Sequence, residues 1–148
     1  MADTHDSDAE TEALLEAHLA SLSDEAWEQL EALVADLESN AEPWGEWRNV
    51  NLDGSMAFPF VTYGPLASRA MGELGRQQLS VVFDWPAWYQ RSIYEQHPEL
   101  ADLASPTDAI RPLVRLVRGE RFSEGTWYTA LEDGTVALLF RRLLDFPH

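Results

Sequence analysis

Apolar residues at helical spacing fill the first quarter of this chain, and they constrain its fold more than any other feature. Leucine, valine and tryptophan recur every three or four positions within residues 9–21 and 24–37. That period is typical of amphipathic helices with one buried face. We therefore predict an acidic helical hairpin over residues 8–40, with these residues on its apolar stripe: Leu14, Leu15, Leu19, Leu22, Trp27, Leu30, Leu33, Val34 and Leu37.

Capping residues mark the ends of the two predicted helices. Ser7 with Glu10 is typical of a capping box, in which the hydroxyl and the carboxylate satisfy backbone N–H groups at a helix start. Ser23 is a suitable N-cap for the second helix. Asn40, followed by a proline, indicates where that helix ends.

The pattern changes after residue 44. Asp53-Gly54 is a strong hairpin signal, and the residues on both sides of it have strand character. Pro59 lies in the segment after this turn. Because proline cannot donate a backbone hydrogen bond, we predict that this segment is an edge strand or an extended loop. We expect extended structure at most around 46–61 and 79–83.

Proline and glycine residues mark the ends of further predicted helices in the rest of the chain. Gly64-Pro65 starts one helix, Asp84 caps another, and Pro112 lies near the first turn of a third. Ser123 and Thr135 are the expected caps of the last two. The predicted fold is mainly α, with five to seven helices packed as one orthogonal or bundle-like domain. The predicted helices that follow the leading hairpin cover residues 65–75, 85–97, 108–118, 124–133 and 136–144.

The length of 148 residues suits one domain with a real core. We expect a disordered amino terminus at 1–7, the acidic hairpin, and a main helical body over 44–148. Because the chain has no cysteine, disulfides, thiolate catalysis and cysteine-ligated zinc are excluded. The acidic start does not fit a signal peptide, and no apolar run approaches a membrane span, so we expect a soluble cytoplasmic protein.

Charge is unevenly distributed along the chain. The sequence contains no lysine, and 26 acidic residues against ten arginines give a formal net charge of -16. Fourteen of the acids, and none of the arginines, fall within residues 1–47. We interpret this as a salt-adapted, halophile-type surface, since high salt screens repulsion between carboxylates. The alternatives are an acidic interaction tail and a carboxylate array that imitates nucleic acid.

Several short motifs lie in the second half of the chain. They are Phe83-Asp84-Trp85 with Trp88, the string Arg118-x-x-Arg121-Phe122-x-Glu124-Gly125, and Leu139-x-Arg141-Arg142-Leu143. Together they resemble an uncharacterised prokaryotic family known as a domain of unknown function, over residues 44–144. The resemblance implies a stand-alone, mostly helical domain and supplies no activity. It does not extend to the acidic leading hairpin.

Arginines form the first candidate for a functional cluster. Arg111, Arg115 and Arg118 fall on one helix face, and Arg121 follows closely. Arginines at this spacing could bind phosphate groups bidentately. In so acidic a chain, however, we favour the interpretation that they pair with carboxylates of the same molecule.

Asp84, Glu120 and Glu124 form the second candidate cluster. Carboxylates in unequal environments could act as acid and base, or hold magnesium. Asp84 also suits a helix cap, and Glu124 suits the first turn of a helix, so we favour structural roles. The four histidines are scattered, and we predict no metal site and no cofactor.

Aromatic residues form the third candidate. Five tryptophans outside the leading hairpin are many for so small a core, and some could line an apolar groove. These are Trp44, Trp47, Trp85, Trp88 and Trp127.

We predict a binding or regulatory module that uses an aromatic and arginine-lined groove, with an unknown protein or small molecule as its partner. The expected binding residues are Asp84, Trp85, Trp88, Arg118, Arg121 and Glu124. The alternative is an enzyme acting on a phosphorylated or nucleotide-like substrate, with Arg118 and Arg121 holding phosphate and Asp84, Glu120 or Glu124 as base or metal ligand. Catalysis stays open. The net charge disfavours a nucleic-acid partner, and no membrane partner is expected.

Overall fold

The computed structural model describes residues 4–50, 53–79, 106–107, 109–120 and 123–148. The predicted helix at 85–97 and residues 80–83 of the predicted extended segment lie outside this part of the chain. The described part is mainly α, as predicted. Its elements are α1 (Thr4–Ser21), α2 (Asp24–Ser39), β1 (Gly45–Val50), β2 (Met56–Tyr63), α3 (Pro65–Arg76), α4 (Ile110–Gly119), α5 (Thr126–Glu132) and α6 (Thr135–Leu143).

The leading helical hairpin forms, with two corrections to the prediction. Helix α1 begins at Thr4, so Ser7 lies inside the helix instead of capping it. Extending an existing helix adds one hydrogen bond per residue and is easier than starting one, which favours this longer helix. Leu14 is 70% exposed, so it lies off the predicted apolar stripe.

Helix α2 matches its predicted limits. The Ser23 hydroxyl oxygen accepts a hydrogen bond from the Ala26 backbone N–H at 3.1 Å, and Asn40 is the C-cap. The apolar stripe from Trp27 to Leu37 is buried, as its spacing predicts. Burying each large apolar side chain contributes about 1.5–3 kcal/mol, so packing rather than intrinsic propensity holds this helix.

Strands β1 and β2 form an antiparallel two-stranded sheet. Glu46 pairs with Thr62 and Arg48 pairs with Phe60 in the regular part of the ladder. The register shifts where Val50 pairs with Met56, which leaves three residues of β2, including Pro59, opposite one residue of β1. A proline at a bulge loses no ladder hydrogen bond, so the predicted hairpin tolerates it.

A single core unites the described helices. Helix α2 packs on α3 and α6, and α4, α5 and α6 pack on one another. The largest fully buried side chains are Trp127 and Phe140, and leucines from α1 to α6 surround them. None of the described helices is both long enough and apolar enough to cross a membrane.

Two glycines, instead of the predicted hydroxyl caps, precede the last two helices. Gly125 has φ 91° before α5 and Gly134 has φ 85° before α6, where residues with a side chain are strained. Ser123 and Thr135 therefore do not act as N-caps. Instead, the Asp133 carboxylate accepts the Thr135 backbone N–H at 2.9 Å, and the chain reverses sharply enough to pack α5 on both α4 and α6.

Candidate functional site

Two of the six predicted binding residues lie in the described part of the chain. Arg118 is half-buried in the last turn of α4, and Glu124 lies just before α5. The other four lie outside the described residues: Asp84, Trp85, Trp88 and Arg121.

Glu120 and Glu124 anchor the β-hairpin to the junction between α4 and α5. Glu124 Oε1 accepts the Val61 backbone N–H at 2.8 Å. Glu120 Oε2 accepts the Tyr63 hydroxyl at 2.7 Å, and its Oε1 accepts the Gly125 backbone N–H at 2.6 Å. Hydrogen bonds to a charged acceptor are the stronger kind, so the two carboxylates fix strand β2 to the start of α5.

Tyr63 is the centre of this anchor. Its hydroxyl donates to Glu120 and accepts the Tyr128 backbone N–H at 3.0 Å. Tyr128 is the third residue of α5, so Tyr63 satisfies an N–H that the helix itself leaves without a partner. Burial, and then the hydrogen bond to Glu120, raise the pKa of Tyr63 far above its usual range, which keeps the hydroxyl protonated as a donor.

The Trp47 ring covers Gly125 from the side of β1. A Cβ atom at Gly125 would lie 2.3 Å from Cζ2 of Trp47, which is too close for any side chain. The same ring packs edge to face on Tyr128, with the centroids 6.3 Å apart. Glu124 and Gly125 therefore both position the hairpin. Glu124 holds β2 by a hydrogen bond, and Gly125, which has no side chain, leaves room for the Trp47 ring of β1.

This arrangement leaves the two glutamates as acceptors for backbone and phenol groups. A general base or a metal ligand needs a lone pair directed at the substrate or ion. Among the described residues, no group of three or more histidine or acidic side chains is placed to hold a metal ion. The enzyme alternative gains no support from Glu120 or Glu124 and stays a prediction.

Arg111 acts within the molecule. Its side chain is 4% exposed, and its Nη1 lies 2.9 Å from Oε2 of Glu12 on α1. The Thr107 hydroxyl donates to the other oxygen of Glu12. Five more arginines also pair with carboxylates, in the pairs Arg48 with Glu46, Arg69 with Asp36, Arg76 with Glu73, Arg141 with Glu38, and Arg142 with Asp145. Of the predicted arginine cluster, Arg111 thus follows the favoured intramolecular interpretation.

The tryptophans divide between the core and the hairpin. Trp127 is fully buried, and its Nε1–H donates to the Ala67 carbonyl at 3.1 Å, so it cannot line a groove. Trp44 is half-buried, and Trp47 is 49% exposed. The predicted groove, which also includes Trp85 and Trp88, stays a prediction.

The hairpin carries four of the five exposed large apolar side chains in the described part of the chain. These are Trp47, Val50, Met56 and Phe58, and the last two are 75% and 95% exposed. We call Val50, Met56 and Phe58 the hairpin patch; Trp47 lies on the opposite face of the sheet, where it pairs with the buried Val61 and packs on Tyr128. Exposed apolar residues that cluster in this way mark interaction sites more often than residues scattered singly.

Sequence reasoning missed Tyr63, Glu12 and Thr107. Their partners lie 57 to 99 residues away along the chain, so no short motif could reveal them. The sequence does indicate part of the hairpin patch, because the alternation of Met56, Phe58 and Phe60 predicts a strand with an apolar face. No local pattern indicates that much of this face stays exposed.

The comparisons with known proteins give one match. A family model described as a family of unknown function, DUF6508, matches residues 22–147. The match is wider than the predicted 44–144 and includes α2 of the leading hairpin. No curated protein and no solved structure matches the chain.

Proposed function

The chain belongs to DUF6508, a family of unknown function, and we propose that it is a protein-binding module whose contact surface is the hairpin patch. The observation that carries this proposal is the exposure of Phe58 and Met56 on a hairpin that is fixed at its base. A preorganised surface loses little conformational entropy on binding, and exposed aromatic side chains are the usual anchors of interfaces.

The charges around the hairpin patch indicate the chemistry of the partner. Asp53 is exposed in the turn of the same hairpin, and the chain as a whole carries -16. The Ser55 hydroxyl and N–H lower the pKa of Asp53, so it stays ionised at neutral pH. The partner that fits is a protein segment whose apolar side chains are flanked by lysine or arginine.

Selection from a library of displayed random peptides tests this proposal. We expect peptides selected on the wild-type protein to share apolar residues flanked by basic ones. Phe58→Ser should weaken them at least tenfold, because truncating a central anchor typically costs more than about 1.4 kcal/mol. The matched control is Leu14→Ser, which removes an equally apolar exposed side chain from α1 and should leave affinity unchanged.

Two results would contradict the proposal. One is a selection that yields no peptides or yields acidic ones. The other is a set of peptides whose affinity is insensitive to Phe58→Ser or falls equally with Leu14→Ser.

A further inference from the structure

The hydrogen bonds of the hairpin define which of its two edges is occupied. Val61 donates its backbone N–H to Glu124, so this group points away from β1. Trp47 and Val61, which face each other, are therefore a non-hydrogen-bonded pair of the antiparallel ladder. The Gly64 N–H donates to the Trp44 carbonyl at 2.9 Å, which fits the same alternation.

This alternation directs the N–H and C=O groups of Gly45, Trp47 and Asn49 to the outer edge of β1. Residues 46–50 are all exposed. Within the described part of the chain, no backbone hydrogen bond joins this edge to another segment. The edge of β2, in contrast, is closed at Val61 by Glu124. A strand edge that presents backbone donors and acceptors is a template for another strand.

We infer that the outer edge of β1 pairs with the same edge of a second copy of this chain, antiparallel and centred on Trp47. In this register the outward groups of Trp47 meet their own counterparts, and those of Gly45 meet those of Asn49. Each of these is a pair in which both residues direct their N–H and C=O groups outward, as a hydrogen-bonded pair requires.

Charge favours a second copy as the occupant. Centring the pair on Trp47 places Glu46 directly opposite Arg48 of the partner subunit, and Arg48 opposite Glu46 of the partner subunit. Side chains directly opposite in an antiparallel pair are close enough to interact. Within one chain these two residues already form an exposed ion pair at 2.8 Å, so they lie on one face of the strand and need only exchange partners.

Strand β1 is also electrically neutral, since Glu46 and Arg48 are its only charged residues. It is a place where two molecules of charge -16 can meet without opposing like charges in the contact. The remaining repulsion between the molecules is long-range and is screened by salt. The pairing is therefore salt-dependent, and it joins two hairpins into a four-stranded sheet.

This pairing uses the edge of β1 and not the side chains of Met56 and Phe58, so it stands independently of the proposed function. Phe58→Ser should weaken peptide binding at least tenfold and leave the dimer intact.

Sedimentation equilibrium with charge-swapped variants tests the pairing. We expect wild-type protein to be a dimer in about 2 M KCl and to dissociate towards monomer in about 0.1 M KCl. Glu46→Arg and Arg48→Glu should each be monomeric at both concentrations, because each puts two pairs of like charges across the interface. An equimolar mixture of the two variants should form a heterodimer, since every cross-strand pair is again of opposite sign.

Glu16→Arg is the matched control, because it changes the net charge by the same amount as Glu46→Arg on an exposed position of α1. It should dimerise like the wild type. The inference is overturned by a wild-type monomer in high salt, by dimers that survive both charge changes, or by a mixture that stays monomeric. Circular dichroism of each variant verifies that the fold is retained.

Discussion

Gly125 shows how strongly one residue can be fixed by its surroundings. Its backbone has φ 91°, and the Trp47 ring occupies the space where a side chain would begin. Gly134 has almost the same backbone conformation, φ 85°, but no atom lies within 4 Å of a Cβ built there. The two glycines therefore separate the contribution of backbone strain from that of crowding.

Gly125→Ala should destabilise the protein by roughly 2–4 kcal/mol, with about 1 kcal/mol from the left-handed backbone and the rest from overpacking. Gly134→Ala should cost about 1 kcal/mol, from the backbone alone. Urea unfolding measures both free energies. In a Trp47→Ala background the cost of Gly125→Ala should fall to that of Gly134→Ala, and an unchanged cost would show that the ring is not responsible.

Tyr63 gives a prediction about high pH. Because burial and Glu120 raise its pKa, the folded protein holds this proton more tightly than the unfolded chain does. The corresponding stability is fully present below about pH 10, the pKa of an unfolded tyrosine, and is lost as the pH rises through the higher pKa of the folded protein. Ultraviolet titration should show tyrosine ionisation well above the usual pH range, and this late component should be smaller by one tyrosine in Tyr63→Phe.

Tyr63→Phe should also lower stability at neutral pH by about 1–3 kcal/mol, because Glu120 and the Tyr128 N–H each lose a partner. A variant as stable as the wild type would contradict the anchoring role that we assign to this hydroxyl.

At the scale of elements, ion pairs tie the leading helical hairpin to the rest of the protein. Arg111 on α4 holds Glu12 on α1, and Arg141 on α6 holds Glu38 on α2. The two pairs differ in environment, since the Arg111 side chain is 4% exposed and that of Arg141 is 53% exposed. Arg141 thus joins α6 to α2, and both helices lie within the matched residues 22–147.

Burial predicts unequal contributions from these two ion pairs. Glu12→Gln should cost about 2 kcal/mol, because it removes a carboxylate partner from a buried guanidinium. Glu38→Gln should cost less than about 1 kcal/mol, since water screens the exposed pair. A double-mutant cycle of Glu12→Gln with Arg111→Gln measures the coupling. Equal costs at the two sites would contradict the difference in environment.

At the scale of the whole molecule, the charge of -16 governs the response to salt. Salt adaptation stays a prediction here. Its physical basis is repulsion among carboxylates that coat the leading hairpin and destabilise the compact state when salt is low.

We expect the melting temperature to rise as KCl increases from about 0.1 M to about 2 M, because screening weakens this repulsion. Changing exposed acids to their amides should flatten the response; Glu16, Glu28 and Glu42 are suitable positions. Serine substitutions at exposed Ala13, Ala17 and Ala20 form a control that keeps the charge. A melting temperature that does not respond to salt would refute the prediction.

The sequence by itself determined the class of fold and the limits of most elements. The stripe of α2, the Ser23 cap, the Asp53-Gly54 turn and the start of α3 at Pro65 are local effects, set by side chains a few residues apart. Tertiary structure decided what the charged and aromatic residues do. Glu120 and Glu124 hold the hairpin, Arg111 holds α1, Trp127 fills the core and Phe58 faces solvent, because these outcomes depend on contacts between residues far apart in the chain, which no local pattern encodes.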